Sequence, residues 1–253
     1  MSMRIALAQL LPAWNDPYTN LAAVEVAASR AADEGAALLV LPEQPLLGWD
    51  PRSAAGAEPV GGPLTDALSS IARRHGIALV GSIREAGANG ARNTALALDA
   101  AGGVVAVYAK RHLFTPGGEE TCYVPGTAPA LFDCGGFRFG LAICYDLRFP
   151  AVFAGYRALG ADAVLVPAAW PCERLRHWRL FLRARALDNR VYVAGASYAG
   201  GETPVGTYCG GSLAADPEGE VLAEAGADTA LLVVDLDQGV IARARAGPDP
   251  AGG

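Results

Sequence analysis

The segment Phe139-Gly-Leu-Ala-Ile-Cys144-Tyr-Asp-Leu-Arg-Phe-Pro150 constrains this chain most, because it drives an apolar run straight into a cysteine and then a proline. A continuous apolar run bounded by a turn signal reads as a buried strand. Pro150 suits the first turn of a helix, where its missing N–H has no intrahelical partner to lose. Cys144 is thereby placed at a strand-to-helix corner, with its sulfur at the edge of a sheet. Such corners expose a nucleophile and offer backbone N–H groups to a developing oxyanion. The same residue also reads as a structural cysteine, packed as a small hydrophobe.

What surrounds this corner is a chain able to bury it. Of 253 residues, 52% are hydrophobic and 18% charged, which provides a core for one large domain. Lys and Arg total 20 against 26 Asp and Glu, a net charge of −6, and no basic run offsets it, so a nucleic-acid partner is not expected. Five cysteines at 122, 134, 144, 172 and 209 form no CxxC pair, and HExxH is absent. That spacing implies neither a metal site nor a disulfide framework. The N-terminus reads as a first strand and not a signal peptide, and no apolar stretch is long enough to span a bilayer. A cytoplasmic protein without membrane partners is the expectation.

Taken in order, the pattern alternates buried strands with helices. Arg4 to Leu10 and Ala36 to Leu41 are strand-like, the second too apolar for a half-exposed strand. Between them Leu21, Val24, Ala27, Ala28 and Ala31 recur at helical spacing. Gly62 to His75 fits a second helix, with Pro63 near its start and Gly76 past its end. Ile77 to Ile83, Thr94 to Leu98 and Val104 to Tyr108 follow as strands, the last two joined through Gly102-Gly103 as a hairpin. Alternation beyond Tyr108 places Lys110 and His112 on one face. After the central strand Phe137 to Cys144 come a helix from Ala151 to Leu159, a strand from Ala163 to Pro167, and a basic helix from Arg174 to Asn189. Val191 to Ser197, Gly210 to Ala215, Glu220 to Ala223 and Leu231 to Leu236 complete the strands. No linker or internal repeat divides residues 1–241, and residues 242–253 read as a flexible tail. Two helix groups bracketed by strand pairs suit an α+β sandwich of two sheets better than a doubly wound sheet.

Three strand ends offer a carboxylate (Glu43), an ammonium (Lys110) and a thiol (Cys144). A thiol near pKa 8.5 needs help to become a thiolate at neutral pH. A carboxylate can take its proton, and a lysine can hold negative charge in the transition state. Singly, each has a plain account: a turn cap, a solvated strand-end charge, a core cysteine. A Cys–His pair using His112 or His177 is the rival chemistry. Asp146 and Arg148 read as structural partners of the corner.

The surrounding strings resemble the nitrilase superfamily of carbon–nitrogen hydrolases. Leu41-Pro-Glu43, Tyr108-Ala-Lys110-Arg-His-Leu-Phe114 and Cys144-Tyr-Asp-Leu-Arg-Phe-Pro150 occur in that family's order. They are joined by Ala168-Ala-Trp-Pro171, His177-Trp178 and Arg183-Ala-Arg-Ala-Leu-Asp-Asn189, so the resemblance spans Arg4 to about Asp237. It implies a four-layer αββα sandwich, association into a homodimer or higher homo-oligomer, and a Glu–Lys–Cys set on Glu43, Lys110 and Cys144, with no cofactor and no metal. It implies a second glutamate at Glu119, with Glu120 the alternative. Tyr145 after the cysteine, Trp170 after a strand end, and Arg174 are the expected substrate contacts. An inactive member serving as a binding module is the non-enzyme alternative, but all three catalytic side chains are present.

The resemblance also bears on substrate. True nitrilases usually carry tryptophan and then glutamate after the nucleophile, whereas this chain reads Cys-Tyr-Asp, which favours amides, hydrolysed with water. The strings look most like the ω-amidases, which act on monoamides of short 2-oxo dicarboxylic acids. Deaminated-glutathione amidases and N-carbamoyl amino acid hydrolases are the alternatives. A substrate carboxylate calls for a cation, and Arg174 or Arg176 is the expected donor. The chain departs from close relatives in reading Ala169 where Asn is usual before Trp-Pro, and in lacking a Phe-Pro element after Ala242.

Overall fold

The computed structural model describes residues 1–247. Its first half runs β1 (Ser2–Gln9), α1 (Pro17–Asp33), β2 (Leu38–Val40), α2 (Pro63–His75), β3 (Ala78–Glu85), β4 (Arg92–Leu98) and β5 (Val104–Ala109). The second half begins with β6 (Leu131–Cys134), β7 (Phe137–Leu141), α3 (Pro150–Ala158), β8 (Ala163–Pro167), α4 (Leu175–Asn189) and β9 (Tyr192–Ala196). It ends with β10 (Gly201–Thr203), β11 (Gly206–Tyr208), β12 (Leu213–Ala215), β13 (Val221–Glu224), β14 (Ala230–Asp237) and α5 (Gln238–Ala246).

The strands form two six-stranded sheets, ordered β14-β1-β2-β3-β4-β5 and β13-β12-β9-β8-β7-β6, with β10 and β11 as a separate hairpin. In each sheet three strands linked by two helices are parallel, β1-β2-β3 in one and β7-β8-β9 in the other. The halves therefore repeat a topology that the sequence does not show as a repeat. Helices cover the outer faces and the two sheets face each other, giving the expected four-layer αββα sandwich.

Side-chain alternation explains why the strands are so apolar. In β1, Ile5 and Leu7 enter the core between the sheets, while Ala6 and Ala8 face α1 and α2. In β2 and the residue after it, Leu38 and Val40 point one way and Leu39 and Leu41 the other. A strand buried on both faces has no polar position to spare. The helix ends follow local chemistry. Asp16 caps α1 by accepting from the Thr19 N–H at 3.1 Å, with Pro17 next. Gly76 ends α2 at φ +61°, a left-handed turn that favours glycine.

Several expectations need correction. The strand carrying Lys110 stops at Ala109, so Lys110 and His112 do not continue its alternation. β6, β10 and β11 were not anticipated; none exceeds four residues. The expected flexible tail is helical through Ala246, because Ile241 is buried and the Arg245 guanidinium donates to the Ala161 carbonyl at 2.6 Å. Residues 248–253 of that tail lie outside the described residues. Cys172 and Cys209 form a disulfide across 37 residues, whereas the spacing had implied none. It ties the turn after β8 to the end of β11.

Candidate active site

The site forms where the carboxyl ends of β2, β7 and β8 meet the end of β5, the region in which open α/β sheets gather ligands. The backbone beyond β7 stays extended to Ile143 and turns at Cys144, which begins a 3-10 turn running to Arg148 ahead of α3. Cys144 has φ +44°, a left-handed conformation that a non-glycine residue holds only when its surroundings enforce it. Asp146 supplies that enforcement. Its Oδ2 accepts from the Ile143 N–H at 3.0 Å and the Tyr108 hydroxyl at 2.8 Å. Its Oδ1 accepts from the His112 N–H at 2.9 Å, with His112 Nδ1 at 2.8 Å. From α4, Arg185 donates to the Leu147 and Arg148 carbonyls at 3.1 and 3.3 Å.

Behind the cysteine lies a buried charge cluster. Glu43, Lys110 and Glu119 are each 0% exposed. Lys110 Nζ lies 2.9 Å from Glu43 Oε1 and 2.9 Å from Glu119 Oε2. Glu119 Oε2 also accepts from the Phe114 N–H at 2.6 Å, and its Oε1 lies 3.3 Å from the donor Trp49 Nε1. Glu43 Oε2 accepts from the Ala169 N–H at 3.0 Å, so the residue that departs from the usual Asn contributes its backbone. The Tyr198 hydroxyl donates to the Glu43 carbonyl at 2.7 Å and accepts from the Trp49 N–H at 2.7 Å. Lys110 is steadied in turn by the Gly126 N–H on its carbonyl at 2.9 Å; a Cβ on Gly126 would stand 2.3 Å from the Ala109 oxygen.

Electrostatics separate the two glutamates. Burial raises the Glu43 pKa above the ordinary carboxylate value; Lys110 opposes this and the Glu119 charge adds to it. Burial pushes Glu119 the same way, but Lys110, the Phe114 N–H and Asn93 outweigh it and hold Glu119 below the ordinary value. Burial works against the Lys110 charge, yet Glu119 and Glu43 overcome it and raise its pKa. The Cys144 thiol is pushed well above its ordinary value by burial and then by Glu43, with Lys110 partly offsetting. Two acids pushed apart in this way suit one as proton carrier and the other as fixed charge.

Of this group Cys144 alone lines a cavity of about 310 Å³. Trp49, Phe114, Tyr145, Trp170 and Tyr208 provide its aromatic walls. Arg52, Arg148 and Arg174 line it as well, against the single acid Glu173. The anticipated Tyr145, Trp170 and Arg174 are thus all in the wall. Arg174 sits 3.5 Å from Glu173 with its guanidinium 5.3 Å from the Phe114 ring, and Arg176 is exposed and outside the lining. Arg148, read from the sequence as structural, faces the cavity instead. Its guanidinium packs 5.3 Å from the Trp170 ring and 5.7 Å from the Tyr145 ring. Its side-chain partner is His177 Nδ1 at 3.4 Å, and no carboxylate pairs with it among the described residues. His177 serves Arg148 and His112 serves Asp146, so neither ring bonds to Cys144 among the described contacts. Of the doubled acid, Glu119 is the buried member and Glu120 is exposed. Asn93, buried on β4, was missed: a lone Asn in a strand carries no motif. No group of residues able to hold a metal ion occurs among the described residues.

The carbon–nitrogen hydrolase family profile matches residues 4–246. The chain belongs to this family, the nitrilase superfamily. A hydrolase of Mycobacterium tuberculosis is 38% identical, covering 96% of this chain and 92% of the relative. The 2-oxoglutaramate amidase of Bacillus subtilis is 30% identical, covering 94% and 92%. Among solved structures, a cysteine-to-alanine variant of the amidase from Nesterenkonia sp. AN1, in complex with butyramide, superposes with TM-score 0.86 at 36% identity, covering 96% of this chain and 94% of that one. The nitrilase-superfamily protein described here is accordingly a hydrolase of amide C–N bonds.

Proposed function

We propose that this hydrolase acts on the terminal amide of a short dicarboxylic acid monoamide, as an ω-amidase. Glu43 Oε2 takes the Cys144 proton as the sulfur attacks the amide carbon. Lys110 Nζ and the Tyr145 N–H hold the oxyanion that forms. Collapse breaks the C–N bond, and the Glu43 proton leaves with the nitrogen as ammonia, giving a thioester on Cys144. Water then gives a proton to Glu43 and attacks the thioester carbon. Breaking the C–S bond releases the acid, and the proton returns to sulfur. Glu119 stays ionised and fixes Lys110.

The observation that carries the substrate class is Arg148: a half-buried guanidinium in the cavity wall, stacked on aromatic rings, with no carboxylate partner among the described residues. A cation so placed suits an anionic group of the substrate, and its planar fork suits a carboxylate. The cavity, about 310 Å³, lies at the small end of the ~300–1,000 Å³ usual for ligand pockets, which favours a short acyl chain. The similarity to a 2-oxoglutaramate amidase agrees with this reading.

The test compares kcat/KM for 2-oxoglutaramate, succinamate, butyramide, deaminated glutathione and an N-carbamoyl amino acid. The two ω-amides should lead. Arg148→Met should cost them about 10–100-fold, the worth of a charged hydrogen bond, and leave butyramide nearly unchanged. Equal losses on succinamate and butyramide would remove Arg148 as the carboxylate donor. A clear preference for either larger substrate would replace the ω-amidase assignment.

A further inference from the structure

The amide of Asn93 joins both buried glutamates. Its Nδ2 donates to Glu43 Oε1 at 2.7 Å and to Glu119 Oε1 at 3.0 Å, and the residue is 0% exposed. Its Oδ1 is buried with no hydrogen-bond partner. A buried acceptor left unpaired costs free energy, so its retention here calls for a compensating use of the donor end. The backbone supports that end: the Asn93 carbonyl accepts from the Lys110 N–H at 2.8 Å, so Asn93 and Lys110 form one hydrogen-bonded unit.

The two oxygens of Glu43 carry different numbers of donors. Oε1 receives both the Lys110 ammonium at 2.9 Å and the Asn93 amide at 2.7 Å. The ammonium has no lone pair to accept a proton, and Nδ2 of an amide does not act as an acceptor. A proton on Oε1 would therefore have to displace one of them. Oε2 carries the single Ala169 N–H at 3.0 Å and has acceptor capacity left. We propose that Asn93 is a positioning residue that, together with Lys110, saturates Oε1 of Glu43 and so assigns the proton-carrying role to Oε2, while tethering Glu119 to the same unit. Without Asn93, Glu43 has less reason to keep Oε2 toward the sulfur, and its ionised form loses a donor. That loss raises the pKa of Glu43, because the Asn93 hydrogen bond favours its charged form and lowers its pKa. The inference rests on Glu43 being the base.

The experiment measures kcat, KM and the pH profile of kcat/KM for wild type, Asn93→Leu, Asn93→Ser and Glu43→Gln, along with alkylation of Cys144 by iodoacetamide against pH. Asn93→Leu should lower kcat about 10–100-fold, the worth of a charge-assisted hydrogen bond, with KM moved far less. The acid limb of kcat/KM and the Cys144 alkylation profile should both move to higher pH. Asn93→Ser, whose hydroxyl can donate to one carboxylate only, should fall between the two, and provides the reading if the leucine variant does not fold. A drop in kcat with unmoved pH profiles in both Asn93 variants would overturn the proposal. Retained turnover in Glu43→Gln would instead remove the base itself, a separate failure.

Discussion

Replacing Lys110 by methionine probes the charge cluster most directly. Lys110 holds Glu43 and Glu119 at 2.9 Å each, with all three side chains 0% exposed. Without it two buried carboxyls are joined through Asn93 alone. Removing one partner of a buried ion pair costs about 3–5 kcal/mol, because the charge left behind has no water to turn to. The variant can reduce that cost by keeping protons, which makes the penalty depend on pH. In the wild type Glu119 lies below its ordinary pKa, so its stabilising contribution is present above the unfolded value and lost as pH falls through the folded one. Glu43 lies above its ordinary pKa, so its contribution runs oppositely: stability is lost as pH rises from about 4.3, the unfolded value, through the folded one. The two partly offset each other. In Lys110→Met both carboxyls are pushed upward and both contributions decline as pH rises. The deficit relative to wild type should therefore widen above about pH 4.3, by up to about 1.4 kcal/mol per pH unit for each proton kept in the folded state. Urea unfolding of both proteins at half-unit steps from about pH 4.5 to pH 8 measures this. A difference that stays constant across that range would refute the reasoning, whatever its size.

Three further outcomes are expected. Cys144→Ala should abolish turnover with the fold retained, whereas Cys122→Ser and Cys134→Ser should turn over normally; amide hydrolysis with circular dichroism checks all three. Lys110→Met should cost roughly a hundredfold or more in kcat, the scale of losing one oxyanion donor, Glu43→Gln roughly as much through loss of the general base, and His112→Asn far less; the reverse ranking would restore a Cys–His enzyme. Replacing both Cys172 and Cys209 by serine should lower stability by about 3–4 kcal/mol on the chain-entropy account of a 37-residue separation, while Cys144 still reacts with iodoacetamide; urea midpoints and mass spectrometry read the two effects.

The sequence was most informative where burial leaves little freedom. Strands apolar on both faces, such as Leu38–Val40, and a cysteine between an apolar run and Pro150 have few alternatives, and they place Glu43 and Cys144 at strand ends. Lys110 was legible as a residue but not in its geometry: the strand stops at Ala109, and Lys110 turns inward to meet Glu43 and Glu119. Contacts between distant segments left no local pattern. Asn93 looks like any polar strand residue until Glu43 and Glu119 are brought to it. Arg148, shortly after Cys144, read as a structural partner of that corner, because nothing in the local sequence shows which way its side chain faces. The Cys172–Cys209 bond was hidden by an odd cysteine count and a 37-residue gap. The short hairpin of β10 and β11 has too few residues for period-two alternation to show.

The cavity also has an electrical direction. Behind Cys144 two carboxylates face one ammonium, leaving one unit of negative charge when both are ionised. Three arginines face one glutamate along the wall, leaving two units of positive charge. If the substrate is the monoamide proposed above, it is neutral at one end and anionic at the other, and only one way of entering brings its anionic end to the arginines and its neutral end to the sulfur. Hydrolysis then turns the neutral end into a second carboxylate, next to the negative cluster. For charges about 5 Å apart at an effective dielectric near ~20, that repulsion is on the order of 3 kcal/mol. On that reading the reaction generates, at the point of bond cleavage, the charge that drives its own product outward.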